Sequence, residues 1–182
     1  MCLNPKLRIN FILSAFIWSA YIFNYYIIVF YLKYFPGDIY TNAFAMGLSD
    51  VFAYLLSGIA IKKLKMSKAL IIALTVSIIG SVSYLFLSSF LYLIPVFIIF
   101  CRVGNAMIVN ILYVSNNKLF PVHLQSSSFG MLNFISHVLA VGSPLVAEIK
   151  DPYPFIVFVA NAVVSIIACI FVRELPTIAE LK

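Results

Sequence analysis

The sequence predicts an all-α membrane protein with six transmembrane helices. Its mean hydropathy is +1.09, and 64% of its residues are hydrophobic while only 10% carry a charge. This composition is too apolar for the mostly polar surface of a soluble domain. The apolar residues also form runs of about 18 to 25, the length that a helix needs to cross a hydrocarbon core of about 30 Å.

Six such runs follow one another along the chain, separated by turn-forming or charged residues. The first is too long and too aromatic for a signal peptide, so we expect it to be retained. The alternating pattern of a barrel strand is absent, and lipid-exposed backbone must satisfy its own hydrogen bonds, so each run predicts a helix. The predicted spans are 9–32, 40–61, 69–88, 91–114, 127–146 and 155–172.

Basic residues predict the orientation of these spans. An even number of helices puts the flanking segments 1–8 and 173–182 on one side, together with nine lysines and arginines, against only Lys33 and Lys150 on the other. The positive-inside rule therefore predicts that both termini are cytoplasmic. This topology accounts for most of the net charge of +6. The charge therefore does not require a nucleic-acid partner, and the expected partner of the chain is the lipid bilayer.

The polar stretch NNKLFPVHLQSSSFG, residues 116–130, is predicted to be the turn between the fourth and fifth helices. Pro121 disfavours a helical conformation at Phe120. A serine could then cap the fifth helix by accepting backbone hydrogen bonds. The candidate caps are Ser126, Ser127 and Ser128, and His123 is expected in the loop.

Three ionisable residues fall inside the predicted spans: Asp50, Arg102 and His137. Charges at membrane depth are costly and usually face a bundle interior or an aqueous cavity. Asp50 and Arg102 have opposite signs and would neutralise each other if their helices touch. Such a pair would serve either structure alone or the binding of a substrate or coupling ion.

Polar and aromatic stripes at helical spacing occur in three spans. Such stripes either line a cavity or pack helices together, since small and polar residues are common at helix contacts in membranes. The stripes are Tyr21 and Tyr25 with Asn24 in the first span; Arg102, Asn105, Ala106, Val109 and Tyr113 in the fourth; and Asn133, Ser136, His137, Ala140 and Pro144 in the fifth.

The sequence contains no nucleotide-binding loop, paired catalytic carboxylates or nucleophile–histidine constellation, so we expect neither an enzyme nor a cofactor. Its three cysteines, Cys2, Cys101 and Cys169, show no pairing or metal-binding spacing. We therefore predict buried apolar thiols at Cys101 and Cys169, and no metal site.

A series of short motifs occurs in a fixed order along the chain. They are Trp18 with Tyr25-Tyr26, Gly37-Asp38-Ile39-Tyr40-Thr41-Asn42, Arg102-Val103-Gly104, Leu119-Phe120-Pro121, His137 with Pro144, and ELPTIAE at 174–180. In this order and spacing they resemble the second six-helix half of the organic cation and anion transporter family of the major facilitator superfamily. The resemblance implies one half of a facilitator fold that moves a small organic ion or solute by alternating access.

The candidate cavity residues combine aromatic, polar and charged side chains. They are Asn24, Tyr25, Tyr26, Asp50, Arg102, Asn105, Asn133 and His137. The resemblance further implies gating positions on the cytoplasmic side, where the chain departs from the family. Lys62 and Lys63 begin a loop that lacks the family's acid and glycine, Lys118 replaces an acid, and Gln125 replaces an arginine.

Two hypotheses follow. Facilitators rock two six-helix halves about a site at the membrane midplane. A transporter of this kind would therefore be a fragment of a longer chain, or would pair with a second six-helix half or a second copy. Alternatively, the chain is a degenerate, non-transporting membrane subunit that serves assembly, as the altered loop at Lys62 suggests.

Overall fold

The chain folds into a bundle of six helices that are long and apolar enough to cross a membrane, as predicted. The computed structural model describes residues 5–172. Cys2 and the predicted tail at 173–182, with its ELPTIAE motif, lie outside the described residues. Within the described range there is no strand. The six candidate spans are Leu7–Tyr34, Ile39–Lys63, Met66–Leu87, Leu91–Leu119, Val122–Ala147 and Tyr153–Phe171.

Seven α-helices and two short 3-10 turns build these spans. The 3-10 turns Leu32–Tyr34 and Leu91–Leu93 lie at the end of α1 and the start of α4. The helices are α1 (Pro5–Tyr31), α2 (Ile39–Lys63), α3 (Met66–Leu87), α4 (Ile94–Leu119), α5 (Val122–Ala140), α6 (Ser143–Ala147) and α7 (Tyr153–Phe171).

The turn between α4 and α5 is much shorter than predicted. Only Phe120 and Pro121 separate the two helices, so Ser126, Ser127 and Ser128 lie inside α5 and do not cap it. Ser128 instead donates its hydroxyl to the Leu124 carbonyl at 2.8 Å. A serine that bonds to the preceding turn remains compatible with a helix, and this is why the polar stretch does not form a loop.

Gln125 closes this turn. Its amide nitrogen donates to the carbonyls of Asn117 and Phe120, both at 3.1 Å. The last carbonyls of a helix lack partners within the helix, so Gln125 caps the carboxyl end of α4. Asn116 completes the connection by donating to the Gln125 carbonyl at 3.0 Å. His123 lies in the first turn of α5 and not in a loop, although its side chain is exposed.

The fifth span is broken near its end. Helix α5 ends at Ala140, and α6 begins at Ser143 with Pro144 in its first turn. Proline lacks the backbone N–H that a continuing helix would need. Pro144 therefore does not lie on one continuous helical face with Asn133 and His137, contrary to the sequence prediction.

Helix α4 lies at the centre of the bundle. It packs closely against both α2 and α3, and it also contacts α1. On the other side of the bundle α1 packs against α5, α6 and α7, and α7 closes the structure by packing against α3. Helices α2 and α5 have the fewest buried residues of the six spans. They flank the region where α1 and α4 meet.

Small residues bring α3 and α4 into close contact. The Ser77 hydroxyl donates to the Cys101 carbonyl at 3.0 Å, and Gly104 lies directly against Ala73 and Ser77. Cys101 is buried in this contact and Cys169 is buried on α7, as predicted for both thiols. Because Cys101 and Gly104 face α3, Arg102 projects from a different side of α4.

The bundle has two distinct ends. The end with the α2–α3 turn at Leu64 and the α4–α5 turn at Pro121 is called the basic end here, because the exposed side chains of Arg8, Lys62, Lys63, Lys65 and Lys68 lie there. At the opposite end, Lys33 contacts Glu148 at 2.5 Å, and Tyr34 donates to the same carboxylate. These contacts hold the pKa of Glu148 below its usual value, with the Lys33 hydrogen bond as the largest cause.

Asp38 begins α2 at this opposite end. Its carboxylate accepts hydrogen bonds from the Thr41 backbone N–H at 2.8 Å and from the Thr41 hydroxyl at 2.9 Å. Gly37, just before it, has a φ of +99°, a conformation that glycine adopts readily. The Thr41 backbone N–H is the largest cause that lowers the pKa of Asp38 from its usual 3.8.

We expect the stabilising effect of the Asp38 charge to depend on pH. A lowered pKa in the folded state means that this stabilisation is complete above the unfolded-state pKa and is lost as the pH falls through the folded-state pKa. Asp38→Asn keeps a capping oxygen but no charge. In thermal melts in detergent, wild type should melt above Asp38→Asn at about pH 6, and the difference should shrink towards about pH 3. A constant difference would contradict this explanation.

Candidate functional site

Three helices bring Tyr25, Asp50 and Arg102 together, and we call these residues the ion-pair cluster. Arg102 Nη2 donates to Asp50 Oδ2 at 3.2 Å, which joins α4 to α2. The ring of Tyr25 on α1 covers the guanidinium, with 3.9 Å from the ring centroid to Cζ. This distance is well inside the range of a cation–π contact. The predicted neutralisation of Asp50 by Arg102 is therefore present in the structure.

The cluster lies near the middle of its helices. Asp50 is near the centre of α2, which spans Ile39–Lys63, and Arg102 is in the first half of the span Leu91–Leu119. The Arg102 side chain is only 5% exposed, whereas that of Asp50 is 33% exposed. A fully charged arginine at this depth is costly without partners. The carboxylate and the aromatic face together reduce that cost.

The ion pair leaves part of its bonding capacity unused. Within residues 5–172, Asp50 Oδ1 and Arg102 Nε and Nη1 are buried and make no hydrogen bond. A guanidinium carries five N–H donors and a carboxylate accepts at both oxygens. The cluster therefore has buried donors and an acceptor that a polar ligand or water could satisfy.

Asparagines join the neighbouring helices around the cluster. Asn105 donates to the Tyr21 carbonyl at 3.3 Å, which links α4 to α1. Asn110 donates to the Ser57 hydroxyl at 3.0 Å, which links α4 to α2 on the side of the cluster nearer the basic end. Asn105, a predicted cavity residue, is buried and makes a contact between helices.

Aromatic rings extend the cluster along α1. The rings of Tyr25 and Tyr26 meet edge to face with centroids 5.5 Å apart, and Tyr26 stacks on Phe30 at 6.0 Å. Both tyrosines are half-buried. Towards the basic end, Trp18 packs against Tyr113 and Phe129, with ring centroids 5.4 Å away in each case. Tyr25 thus contacts the guanidinium and Tyr26 contacts Tyr25; Tyr25 also meets Tyr21 one turn earlier, as the stripe on α1 predicted, with ring centroids 6.4 Å apart.

Asn24 faces a different side of α1. Its side chain is buried and donates to the Phe158 carbonyl at 3.0 Å, while it accepts a hydrogen bond from Asn161 at 3.2 Å. Both partners lie on α7, so the side chain of Asn24 points away from the side chain of Tyr25 and from the ion-pair cluster. Asn161 is not among the residues predicted from the sequence, although an asparagine inside so apolar a span is a usable signal.

The stripe on α5 does not reach the ion pair. Ser136 and Ala140 are buried, whereas His137 is exposed and Asn133 is half-buried. The His137 Nδ1 atom lies 2.8 Å from the Asn133 carbonyl, and Asn133 in turn donates to the Phe129 carbonyl at 3.0 Å. Both polar groups therefore bond to the backbone of their own helix.

The predicted gating residues all lie at the basic end. Lys62 and Lys63 end α2 with exposed side chains, and Lys118 is half-exposed in the last turn of α4. Gln125 is the one residue of this group with hydrogen bonds across the turn. A role of these residues in gating stays a prediction.

Among residues 5–172, the two most prominent cavities lie between helices, and neither is lined by a residue of the ion-pair cluster. The first cavity, of about 500 Å³, lies between α1, α5 and α7, and Asn161 is among the few polar residues that line it. The other, of about 440 Å³, lies between α2, α3 and α4 and is lined by apolar side chains alone.

Comparisons with known proteins add no assignment. No protein-family model matches the chain. No curated protein matches it either. The resemblance to organic ion transporters therefore rests on the motifs in the sequence.

Proposed function

We propose that this chain is half of a secondary transporter for a small organic ion or solute, and that the ion-pair cluster is its substrate site. The observation that carries the proposal is the Asp50–Arg102 pair at membrane depth, in which the guanidinium is buried beneath Tyr25 and three polar atoms are unsatisfied. Ionisable groups inside membranes commonly mark substrate or ion pathways.

A charged substrate could bind to the cluster by replacing one partner of the Asp50–Arg102 ion pair. An anionic substrate would bind Arg102 through Nε and Nη1, which have no bond at present, and would compete with Asp50. A cationic substrate would instead compete with Arg102 for the Asp50 carboxylate and for the Tyr25 ring. In either case the member of the ion pair that loses its partner needs a new counter-charge, which a coupling ion would have to supply.

A partner bundle is part of this proposal. Alternating access in facilitators requires two halves around a midplane site. The least buried helices, α2 and α5, flank the meeting of α1 and α4 and offer a face to a second six-helix half or a second copy. The charge distribution supports an orientation with the basic end, and both termini, in the cytoplasm.

One observation favours a non-transporting assembly subunit instead. Asp50 and Arg102 already neutralise one another, and Asn24, Asn105 and Asn110 all make hydrogen bonds between helices. Polar side chains that join helices stabilise membrane bundles with no substrate involved. In this second candidate function the cluster would hold α1, α2 and α4 together.

Uptake measurements separate the two candidates. Cells would express the chain alone or with a candidate first half, and uptake of a labelled tetraalkylammonium cation and of a labelled aryl carboxylate would be followed. We expect saturable uptake of one probe. Asp50→Asn and Arg102→Gln should each reduce it at least about tenfold, because a hydrogen bond to a charged group contributes about 1.5–3 kcal/mol.

Asn110→Ala is the matched control, since it removes another contact between α2 and α4 without touching the ion-pair cluster. It should retain most of the uptake. Surface expression of each variant would be measured in the same cells. Absence of saturable uptake in both arrangements, with normal expression, would contradict the transporter proposal and favour an assembly subunit.

A further inference from the structure

We propose a binding site for an anionic phospholipid between α2 and α3. The site combines the cavity of about 440 Å³, which we call the α2–α3 groove, with four lysines at the basic end of the same two helices. Phe52, Leu55 and Leu56 of α2 line the groove, facing Val76 of α3, and Phe100 and Val103 of α4 are also in its lining. This site is independent of the ion-pair cluster and of the transport proposal.

The groove opens because α2 and α3 diverge. Each packs extensively against α4, but they contact each other little beyond the turn that connects them. The lining is entirely apolar, and Leu55, Leu56 and Phe52 are exposed. In a bilayer such a groove is filled by hydrocarbon, so an acyl chain is the expected occupant.

Two of the lysines, Lys63 and Lys68, lie on the same helical faces as residues that line this groove. On α2, Phe52, Leu56, Ile59 and Lys63 succeed one another at spacings of four, three and four residues, so they share a helical face. On α3, Lys68, Ile72 and Val76 succeed one another at intervals of four and share a face in the same way. Ile59 and Ile72 are exposed and continue the apolar surface from the groove towards the lysines.

The depth matches one leaflet of a bilayer. Lys63 lies about 10 Å along the helix axis from Leu56, and Lys68 about 12 Å from Val76, at 1.5 Å per residue. One leaflet contributes about 15 Å of hydrocarbon. With the lysine side chains at the headgroups, the groove therefore lies within the acyl region of the same leaflet.

The charge pattern selects an anionic headgroup. Lys62, Lys63, Lys65 and Lys68 are exposed, and none makes an ion pair with another described residue. After Asp50 the next carboxylate in the sequence is Glu148, which lies at the opposite end of the bundle. Basic clusters beside membrane helices attract anionic lipids. A zwitterionic phospholipid would fill the groove but gain less from the lysines, because its headgroup cation offsets its phosphate charge.

Lipid retention by the purified chain, residues 1–182, tests this site. The chain in neutral detergent would be mixed with equal amounts of dioleoyl phosphatidylglycerol and dioleoyl phosphatidylcholine, and bound lipid counted by native mass spectrometry. We expect wild type to retain phosphatidylglycerol preferentially. Lys63→Gln with Lys68→Gln should reduce that preference about tenfold, whereas Lys63→Arg with Lys68→Arg should preserve it.

Two further variants separate this site from general attraction to the basic end. Arg8→Gln with Lys118→Gln also removes two charges there but leaves the groove lysines, so the preference should persist. Val76→Trp should fill the groove and lower retention of both lipids. Equal retention of the two lipids by wild type, an equal loss in the Arg8 and Lys118 variant, or unchanged retention by Val76→Trp would each overturn the proposal.

Discussion

Replacing Gly104 with alanine is expected to destabilise the bundle by about 3 kcal/mol, although alanine normally favours a helix. A Cβ atom at Gly104 would lie 2.5 Å from the Ala73 carbonyl oxygen and 2.7 Å from Ser77 Cβ. Real Cβ atoms do not approach so closely, and the nearest obstacles are backbone atoms of α3. Helix α3 would therefore have to move away from α4.

This movement would disrupt more than one contact. The hydrogen bond from Ser77 to the Cys101 carbonyl crosses the same interface, and Gly80 forms a second close contact, with Phe100 and Cys101. Because Arg102 lies between these contact points along α4, any part of the separation that α4 takes up would also move the guanidinium relative to Asp50. Gly104→Ala should thus weaken the ion-pair cluster without touching it.

Gly58→Ala is a matched control with the opposite expected sign. Gly58 also lies within a helix, α2, but nothing stands within 4 Å of a Cβ atom built there. The same substitution should therefore leave stability unchanged or raise it by about 0.5–1 kcal/mol, because alanine loses less backbone entropy than glycine on folding. Unfolding in mixed micelles would measure both variants. Equal stability of the two would show that α3 and α4 are not held at this distance.

Gly104 also illustrates which features of the fold can be predicted from the sequence and which cannot. The length of the apolar runs predicts six spans, because crossing hydrocarbon requires that length whatever the packing is. Arg102-Val103-Gly104 was noticed only as a motif. In the structure, the arginine of this motif faces α1 and α2, and its glycine allows α3 to pack closely. These roles cannot be predicted without knowing which helices surround α4.

Polar residues were the main source of wrong expectations. Three consecutive serines after Gln125 suggested a loop, but Ser128 and Ser136 both bond to carbonyls of the preceding helical turn. A hydroxyl satisfied in this way need not leave the membrane span. Polarity alone therefore did not locate the beginning of α5, which the two-residue turn at Phe120 and Pro121 determines.

Helical spacing likewise identifies a face without identifying its neighbour. Asn24 and Tyr25 are adjacent in sequence, yet one bonds to α7 and the other covers Arg102 of α4. His137 and Ser136 were predicted on one stripe, yet only Ser136 is buried. The pairing of Asp50 with Arg102 was more predictable, because two opposite charges at membrane depth have few other ways to be neutralised.

The two partners of this ion pair should not be equally important for stability. We expect Asp50→Asn to destabilise the bundle by about 3–5 kcal/mol, since it leaves a buried guanidinium without a counter-charge. Arg102→Gln should destabilise it less. The Arg102 side chain is 5% exposed against 33% for Asp50, so the guanidinium is the more deeply enclosed charge and loses more when its partner is removed.

The double variant, Asp50→Asn with Arg102→Gln, completes a thermodynamic cycle. Both charges are then absent, and two amides remain that can bond to each other, so its loss of stability should be smaller than that of Asp50→Asn alone. Unfolding of all four proteins in the same micelles would measure the coupling. Additive losses of stability would mean that the two charges act independently. A larger loss for Arg102→Gln than for Asp50→Asn would mean that the contact of the guanidinium with Tyr25 stabilises the cluster more than the ion pair does.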